Sequence, residues 1–378
     1  MSACDFLVCG AGIAGASIAA ELASGASVVV AEREDAAGYH TTGRSAALYV
    51  ASYGNAAVRA LTAASRPFFD APPPGFADHP LLTPRGCLHV GGASQTAQLD
   101  ALAVEFAATG AGVSRIGGEA ACAMVGVLRP EAVAGGVYEP GAADIDVAAL
   151  HGGYLRLARQ RGARIALGAG VTALERTDGG WQARLANGEV LDARVVVNAA
   201  GAWGDEVAAL AGVAAVGLTP CRRTAIVLEA PANVAIGDWP AVIDIDESFY
   251  FKPEAGRILA SPADETPSAP TDAAPEELDI AICIERLQAV ADISVRRVLR
   301  AWAGLRTFAP DRTPVTGFAP GALGFFWFAG QGGYGMQIAP AAARLGAALA
   351  RSEAAPTDIA VLGGDPALFS PSRFVAES

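Results

Sequence analysis

Lysine is almost missing from this chain of 378 residues: of 27 cationic side chains, only Lys252 is a lysine and the rest are arginines. A Schiff-base mechanism would depend on that single residue, whereas arginine is plentiful for gripping carboxylates or phosphates through its planar fork. Charged side chains amount to only 17% of the sequence and hydrophobic ones to 52%, with a mean hydropathy of +0.34. That balance excludes a disordered chain. The four histidines, at 40, 79, 89 and 151, show no HExxH or other ligand spacing, and the six cysteines contain no CxxC pair. Neither a metal site nor a disulfide framework is expected. No apolar stretch reaches the roughly 18 residues of a membrane span. No basic segment precedes the first apolar run, which reads as a strand rather than a signal peptide. A cytoplasmic protein without a transmembrane segment is the expectation.

The net charge is -12 and the isoelectric point near 4.8. Such a field repels nucleic acid, so any anionic ligand must be met by a few local cations.

Along the chain, Asp5 to Cys9 is a short apolar run, Gly10 to Gly15 a turn, Ala14 to Ser24 a helical pattern and Ser27 to Ala31 a second apolar run. This predicts a βαβ unit. After Arg164 the pattern changes to strands separated by Asp178-Gly179-Gly180 and Asn187-Gly188. These turn signals predict a three-stranded meander. A last apolar strand, Gly324 to Phe328, runs into Gly330-Gln331-Gly332-Gly333-Tyr334-Gly335 and a helix toward Arg351. Between these pieces, helices near Gln95 to Ala108 and Glu276 to Ala291 mix with further strands. The expected division is a discontinuous nucleotide-binding domain (1–80, 145–217 and 310–378) and a second domain (81–144 and 218–309). Pro72 to Pro74 and Pro262 to Pro275 read as loops.

Gly10-Ala11-Gly12-Ile13-Ala14-Gly15 matches GxGxxG, follows a strand and opens a helix. In that context Gly10 serves the tight turn, Gly12 the close approach of a pyrophosphate, and Gly15 the packing of helix on strand. The next strand ends at Glu32, seventeen residues past Gly15, where a carboxylate can accept from a ribose diol. A second glycine turn at Gly332 to Gly335 offers backbone donors and a helix start for the pyrimidine edge of a flavin, which favours FAD over NAD. Thr41 to Ala47 would form another backbone cradle.

These motifs, with Asn198 to Trp203, Asp246 to Tyr250 and Trp302-Ala303-Gly304-Leu305-Arg306, resemble the FAD-dependent D-amino-acid dehydrogenases, in particular the D-arginine dehydrogenase branch of the D-amino-acid oxidase and glycine oxidase superfamily. The resemblance covers nearly the whole chain in order. It implies an α/β fold of D-amino-acid oxidase type, with a Rossmann-like FAD-binding domain and an α+β substrate domain built on a mixed sheet. It also implies an active-site loop at about Ala46 to Gly54 that opens and closes. FAD is expected to be noncovalent, since no cysteine lies near Arg306. Its implied site comprises Gly10, Gly12, Ala14, Gly15, Glu32 and Arg33, then Thr42, Gly43, Arg44, Ser45, Ala46 and Ala47. Val171, Ala200, Gly201 and Trp203 follow, and the last turn adds Gly332, Gly333, Tyr334, Gly335, Met336 and Gln337.

The implied reaction is hydride transfer from the α-carbon of a D-amino acid to flavin N5, followed by imine hydrolysis to a 2-oxo acid and ammonia. An unidentified acceptor, O2 or a quinone or other carrier, then takes the electrons. Motif matching places Arg222 and Arg306 as the carboxylate clamp, with Tyr53 and Tyr250 closing around it and the Gly332 carbonyl accepting the amine. Arg223 competes with Arg222, because strand alternation sends only one of them inward. His40 and His89 read as packing or surface residues and Lys252 as an ion-pair member. Leu48 and Cys87 stand where the arginine-oxidising relatives carry a histidine and, after Pro84-Arg85, an acid. A buried guanidinium without an anion is costly, so neutral or apolar D-amino acids are expected over cationic ones. The alternatives are a glycine or sarcosine-type amine oxidase or a 2-hydroxy acid dehydrogenase on the same fold, an NAD-dependent dehydrogenase, and a noncatalytic FAD-binding protein.

Overall fold

A computed structural model describes residues 2–374. Met1 and residues 375–378, at the outer ends of two of the expected nucleotide-binding segments, lie outside the described residues.

The chain begins with the expected unit: strand Ser2–Cys9, helix Ile13–Leu22 and strand Val28–Ala31. These strands sit in an eight-stranded sheet whose centre is parallel, in the order Arg164–Ala166, Val28–Ala31, Ser2–Cys9, Val190–Asn198, Phe325–Ala329. Every residue of Val28–Ala31 and Phe325–Ala329 is buried, as parallel strands covered on both faces require. On one face the helices Val147–Gln160 and Gly335–Ala350 flank the first helix. The meander forms as Val171–Thr177, Gly180–Leu185 and Val190–Asn198, paired antiparallel.

The second, ten-stranded sheet is mixed. Its strands pair antiparallel except where Cys87–Gly91 runs parallel to Ala241–Asp244. Helices Thr96–Ala107 and Glu277–Val290 pack on it within a residue or so of their expected ends. Its longest ladder joins Thr219–Leu228 to Val298–Phe308, with Cys221 opposite Arg306 and Arg223 opposite Gly304. Gly332 pairs with Thr307, which stitches the last glycine turn to this sheet. The glycine-rich starts of the first sheet and the inner face of the second therefore meet.

One helix the sequence pattern did not reveal, Ala56–Asp70, follows the loop at 46–54. Asn55 caps it by accepting from the Val58 amide, and Pro67 lies within it.

Candidate active site

A cavity of about 1200 Å³ runs between the sheets, from Glu32, Arg33 and Val171 past Gly10, Gly12 and Ala14 to the turn Gly332 to Gln337. Both helix starts that border it, at Ile13 and Gly335, belong to helices of ten and sixteen residues whose first amides lack intrahelical partners. Gly10 holds φ at +102°, and a side chain there would bring its Cβ to 2.7 Å from the Ala199 carbonyl oxygen. Gly15 packs against the Gly10 carbonyl and Gly43 against that of Gly38, so both serve the turns rather than the cavity wall.

Glu32 is buried beside this turn, where Oε2 accepts from the Ala11 amide at 2.7 Å and Oε1 from Glu34 at 3.0 Å. His151, below the turn, contacts the Ala11 carbonyl through Nε2 at 2.8 Å. Arg33 lies over the Trp203 ring at 4.6 Å. Ala200, Gly201 and Trp203 line the same end. Thr42 accepts from the Ile13 amide at 2.9 Å, which ties the second cradle to the first helix. Arg44 reaches across to the carbonyls of Ala273 and Ala303, and Ser45, Ala46 and Ala47 continue the wall. An elongated cavity with two helix starts, backbone cradles and a buried acid at one end fits a dinucleotide, with volume left for a small substrate.

At the other end, ladder register decides the cations. Arg306 stands opposite Cys221, so Arg223, two residues on, shares its face and both line the cavity. Arg222, expected in the clamp, faces the other way and forms ion pairs with Glu276, Asp279 and Asp264. Strand alternation thus brings Arg223, not Arg222, to the cavity wall. Cys87 is likewise not on the cavity wall; it is fully buried behind it against Val50 and Ala142. Leu48 and Tyr250 do line the cavity.

Arg306 Nη1 lies 3.4 Å from the Tyr53 hydroxyl and forms no ion pair among the described residues. It presses on Gly333, where a Cβ would meet the guanidinium at 2.9 Å. Arg223 donates to Glu265 Oε1 at 2.9 Å, while its buried Nε has no partner. Burial, then the neighbouring Arg306 charge, pulls the Arg223 pKa below its ordinary value. Glu265 is also held by Arg312 at 3.0 Å; burial opposes its charge, but Arg312 and Arg223 outweigh burial and lower its pKa. Two half-buried guanidiniums, of which only Arg223 is ion-paired among the described residues, leave room for a second anion. Tyr334, ring to ring with Tyr53 at 5.0 Å, is pushed up to about 12 by burial and stays a neutral phenol.

The loop at 46–54 is tied down. Buried Glu139 accepts from the Ala51 amide at 2.7 Å and the Ser52 hydroxyl at 2.5 Å, and burial raises its pKa against those hydrogen bonds. Gln337 accepts from the Val50 amide at 3.2 Å and donates to Thr62 at 2.8 Å, so its amide braces the loop. Lys252 is indeed ion-paired, to Asp144 at 2.7 Å and Glu254 at 2.5 Å. Among the described residues no His, Cys, Asp and Glu cluster could hold a metal, all six cysteines are free, and no helix is long and apolar enough to cross a membrane. Glu265, Arg312 and Glu139 went unread in the sequence. Glu265 lies in the proline-rich loop, which carries no periodicity, and Glu139 signals its burial only through alternation in a short strand.

The fold, built on two large sheets and a small third one, and the cavity with two arginines at one end define an α/β flavoprotein. The chain belongs to the FAD dependent oxidoreductase (DAO) family, whose profile matches residues 5–349. It is similar to human mitochondrial dimethylglycine dehydrogenase, 27% identical over 233 residues, which covers 56% of this chain and 27% of the relative. The chain thus spans about a quarter of that relative's length. Among solved structures it is similar to glycine oxidase from Geobacillus kaustophilus, with TM-score 0.86, 21% identity and full coverage of both chains. L-proline dehydrogenase from P. horikoshii superposes with TM-score 0.80, 20% identity and coverage of 99% of this chain and 98% of that one. The protein is an FAD dependent oxidoreductase of this family.

Proposed function

We propose that this enzyme oxidatively deaminates neutral D-amino acids to 2-oxo acids and ammonia. The observation that carries the reading is the pair of half-buried guanidiniums, Arg223 and Arg306, on one face beside Tyr53. In this reading they grip the substrate carboxylate in place of a second protein acid, with the Tyr53 and Tyr250 hydroxyls donating to the same group. The Gly332 carbonyl then accepts a hydrogen bond from an N–H of the neutral amine, whose lone pair stays free to form the imine. FAD, held by the glycine turns and Glu32, supplies the two-electron acceptor. The domain division proposed with it gives FAD to residues 1–80, 145–217 and 310–378 and substrate to the rest.

Neutral side chains are favoured because the acids near the substrate end are already engaged or solvated. Glu265 is paired to two arginines, Glu105 to Arg59 at 3.5 Å, and Glu247 is exposed at the rim. Solvated acids attract a cation only weakly. The D configuration rests on the ordered motif set. A second reading, oxidation of N-methylated glycines, is favoured by the similarity to dimethylglycine dehydrogenase.

Anaerobic bleaching of the bound flavin across D- and L-amino acids, sarcosine and dimethylglycine tests both. Neutral D-amino acids should bleach it fastest; D-Arg much faster than D-Leu, D-Met or D-Phe would refute the side-chain preference, and sarcosine fastest would favour the second reading. Comparing O2 with a dye acceptor identifies the reoxidation route.

A further inference from the structure

His89 belongs to strand Cys87–Gly91 of the substrate sheet and lines the cavity although it is only 7% exposed. Leu48, Leu102, Phe106 and Ile243 line the cavity with it, and its ring stands edge-on to Phe106 at 5.3 Å. Neither ring nitrogen makes a hydrogen bond to any described residue. Nδ1 is enclosed by protein and orphaned, which leaves Nε2 as the nitrogen with access to the cavity. A histidine kept for packing or structure normally finds a partner for at least one nitrogen. This one has none.

Burial pushes its pKa down to about 4, so the ring is neutral near pH 7 and carries one proton. An N–H sealed off without an acceptor is the costlier orphan. The proton therefore sits on Nε2, where a ligand or water can receive it.

We propose that His89 is a specificity-determining residue whose Nε2–H donates to a neutral acceptor on the substrate side chain, a carboxamide or hydroxyl oxygen. The proposal rests on the amino acid reading above, with the carboxylate at Arg223 and Arg306. The apolar walls accept the side-chain stem, and His89 is the polar point among them. A cationic side chain meets a donor and is rejected. An anionic one has to leave water for a neutral imidazole, which costs more than one hydrogen bond returns.

The test compares kcat/KM for near-isosteric pairs, D-Asn against D-Leu and D-Gln against D-Met, in the holoenzyme. Wild type should favour the amide of each pair by about 10-fold, the value of one hydrogen bond in a dry site. His89→Leu should erase that ratio, and His89→Gln, whose amide nitrogen reaches a similar position, should restore part of it. Because each ratio is taken within one variant, a general loss of activity cancels. A ratio unchanged in His89→Leu with the flavin spectrum intact overturns the proposal, as does D-Glu outrunning D-Gln in wild type. If no D-amino acid bleaches the wild-type flavin, the amino acid reading fails first and this subsite falls with it.

Discussion

Arg223 and Arg306 come from adjacent antiparallel strands and share one face, while Arg222, the chain neighbour of Arg223, points to the opposite one. One peptide unit separates a cation that lines the cavity with its Nε unpartnered from a cation spent on Asp279 and Glu276. Replacing Arg223 with Met should therefore lower kcat/KM for a D-amino acid by roughly 100-fold, the loss of a charge-assisted hydrogen bond pair. Arg222→Met should keep turnover but lower the Tm by a few degrees, since Asp264 and Asp279 lose their counter-charge. Steady-state kinetics and thermal melting of both variants distinguish the two roles, and equal kinetic losses would refute the assignment.

Arg306→Lys preserves charge but not the fork. A single ammonium cannot offer two parallel donors to a carboxylate. KM should rise and kcat/KM fall by about 10- to 100-fold, with little change in flavin content. Saturation kinetics with paired flavin absorbance reads both.

Glu32 accepts from the Ala11 amide within the first glycine turn. Glu32→Ala should weaken FAD binding by roughly 10- to 100-fold through loss of that charged acceptor. Titration of the stripped protein with FAD, followed by flavin fluorescence, measures it; an unchanged affinity would remove Glu32 from the cofactor site.

Glu139 holds the Ala51 amide and the Ser52 hydroxyl from beneath the loop at 46–54. Glu139→Ala should raise amide exchange through 48–54 and increase KM, because Tyr53 is no longer kept beside Arg306. Glu139→Gln, with one acceptor oxygen left, should lie between. Exchange confined to wild-type levels in the Ala variant counts against the latch.

Stability should depend on pH through His89. Unfolded, the imidazole takes up its proton near 6.5; folded, it does so only near 4. Between those values the unfolded chain binds more protons, so stability is retained above the window and is lost as pH falls through it, by roughly 3 kcal/mol in all. Denaturant melts from pH 7 to pH 4 on wild type and His89→Leu should show a shallower fall in the variant.

The sequence alone, read for periodicity and glycine spacing, determined the βαβ start, the meander and the second glycine turn, because each is a local arrangement of turn residues and apolar runs. It was silent on the helix Ala56–Asp70, whose internal Pro67 masks a helical pattern. Family motifs narrowed the clamp to three arginines. Which of Arg222 and Arg223 faces inward, and that Cys87 lies behind the wall while His89 lies on it, depended on strand pairing between segments about eighty residues apart or more. Register is a property of the assembled sheet, set by which faces can be buried together, and a one-residue slip of the Thr219–Leu228 ladder would exchange Arg222 and Arg223.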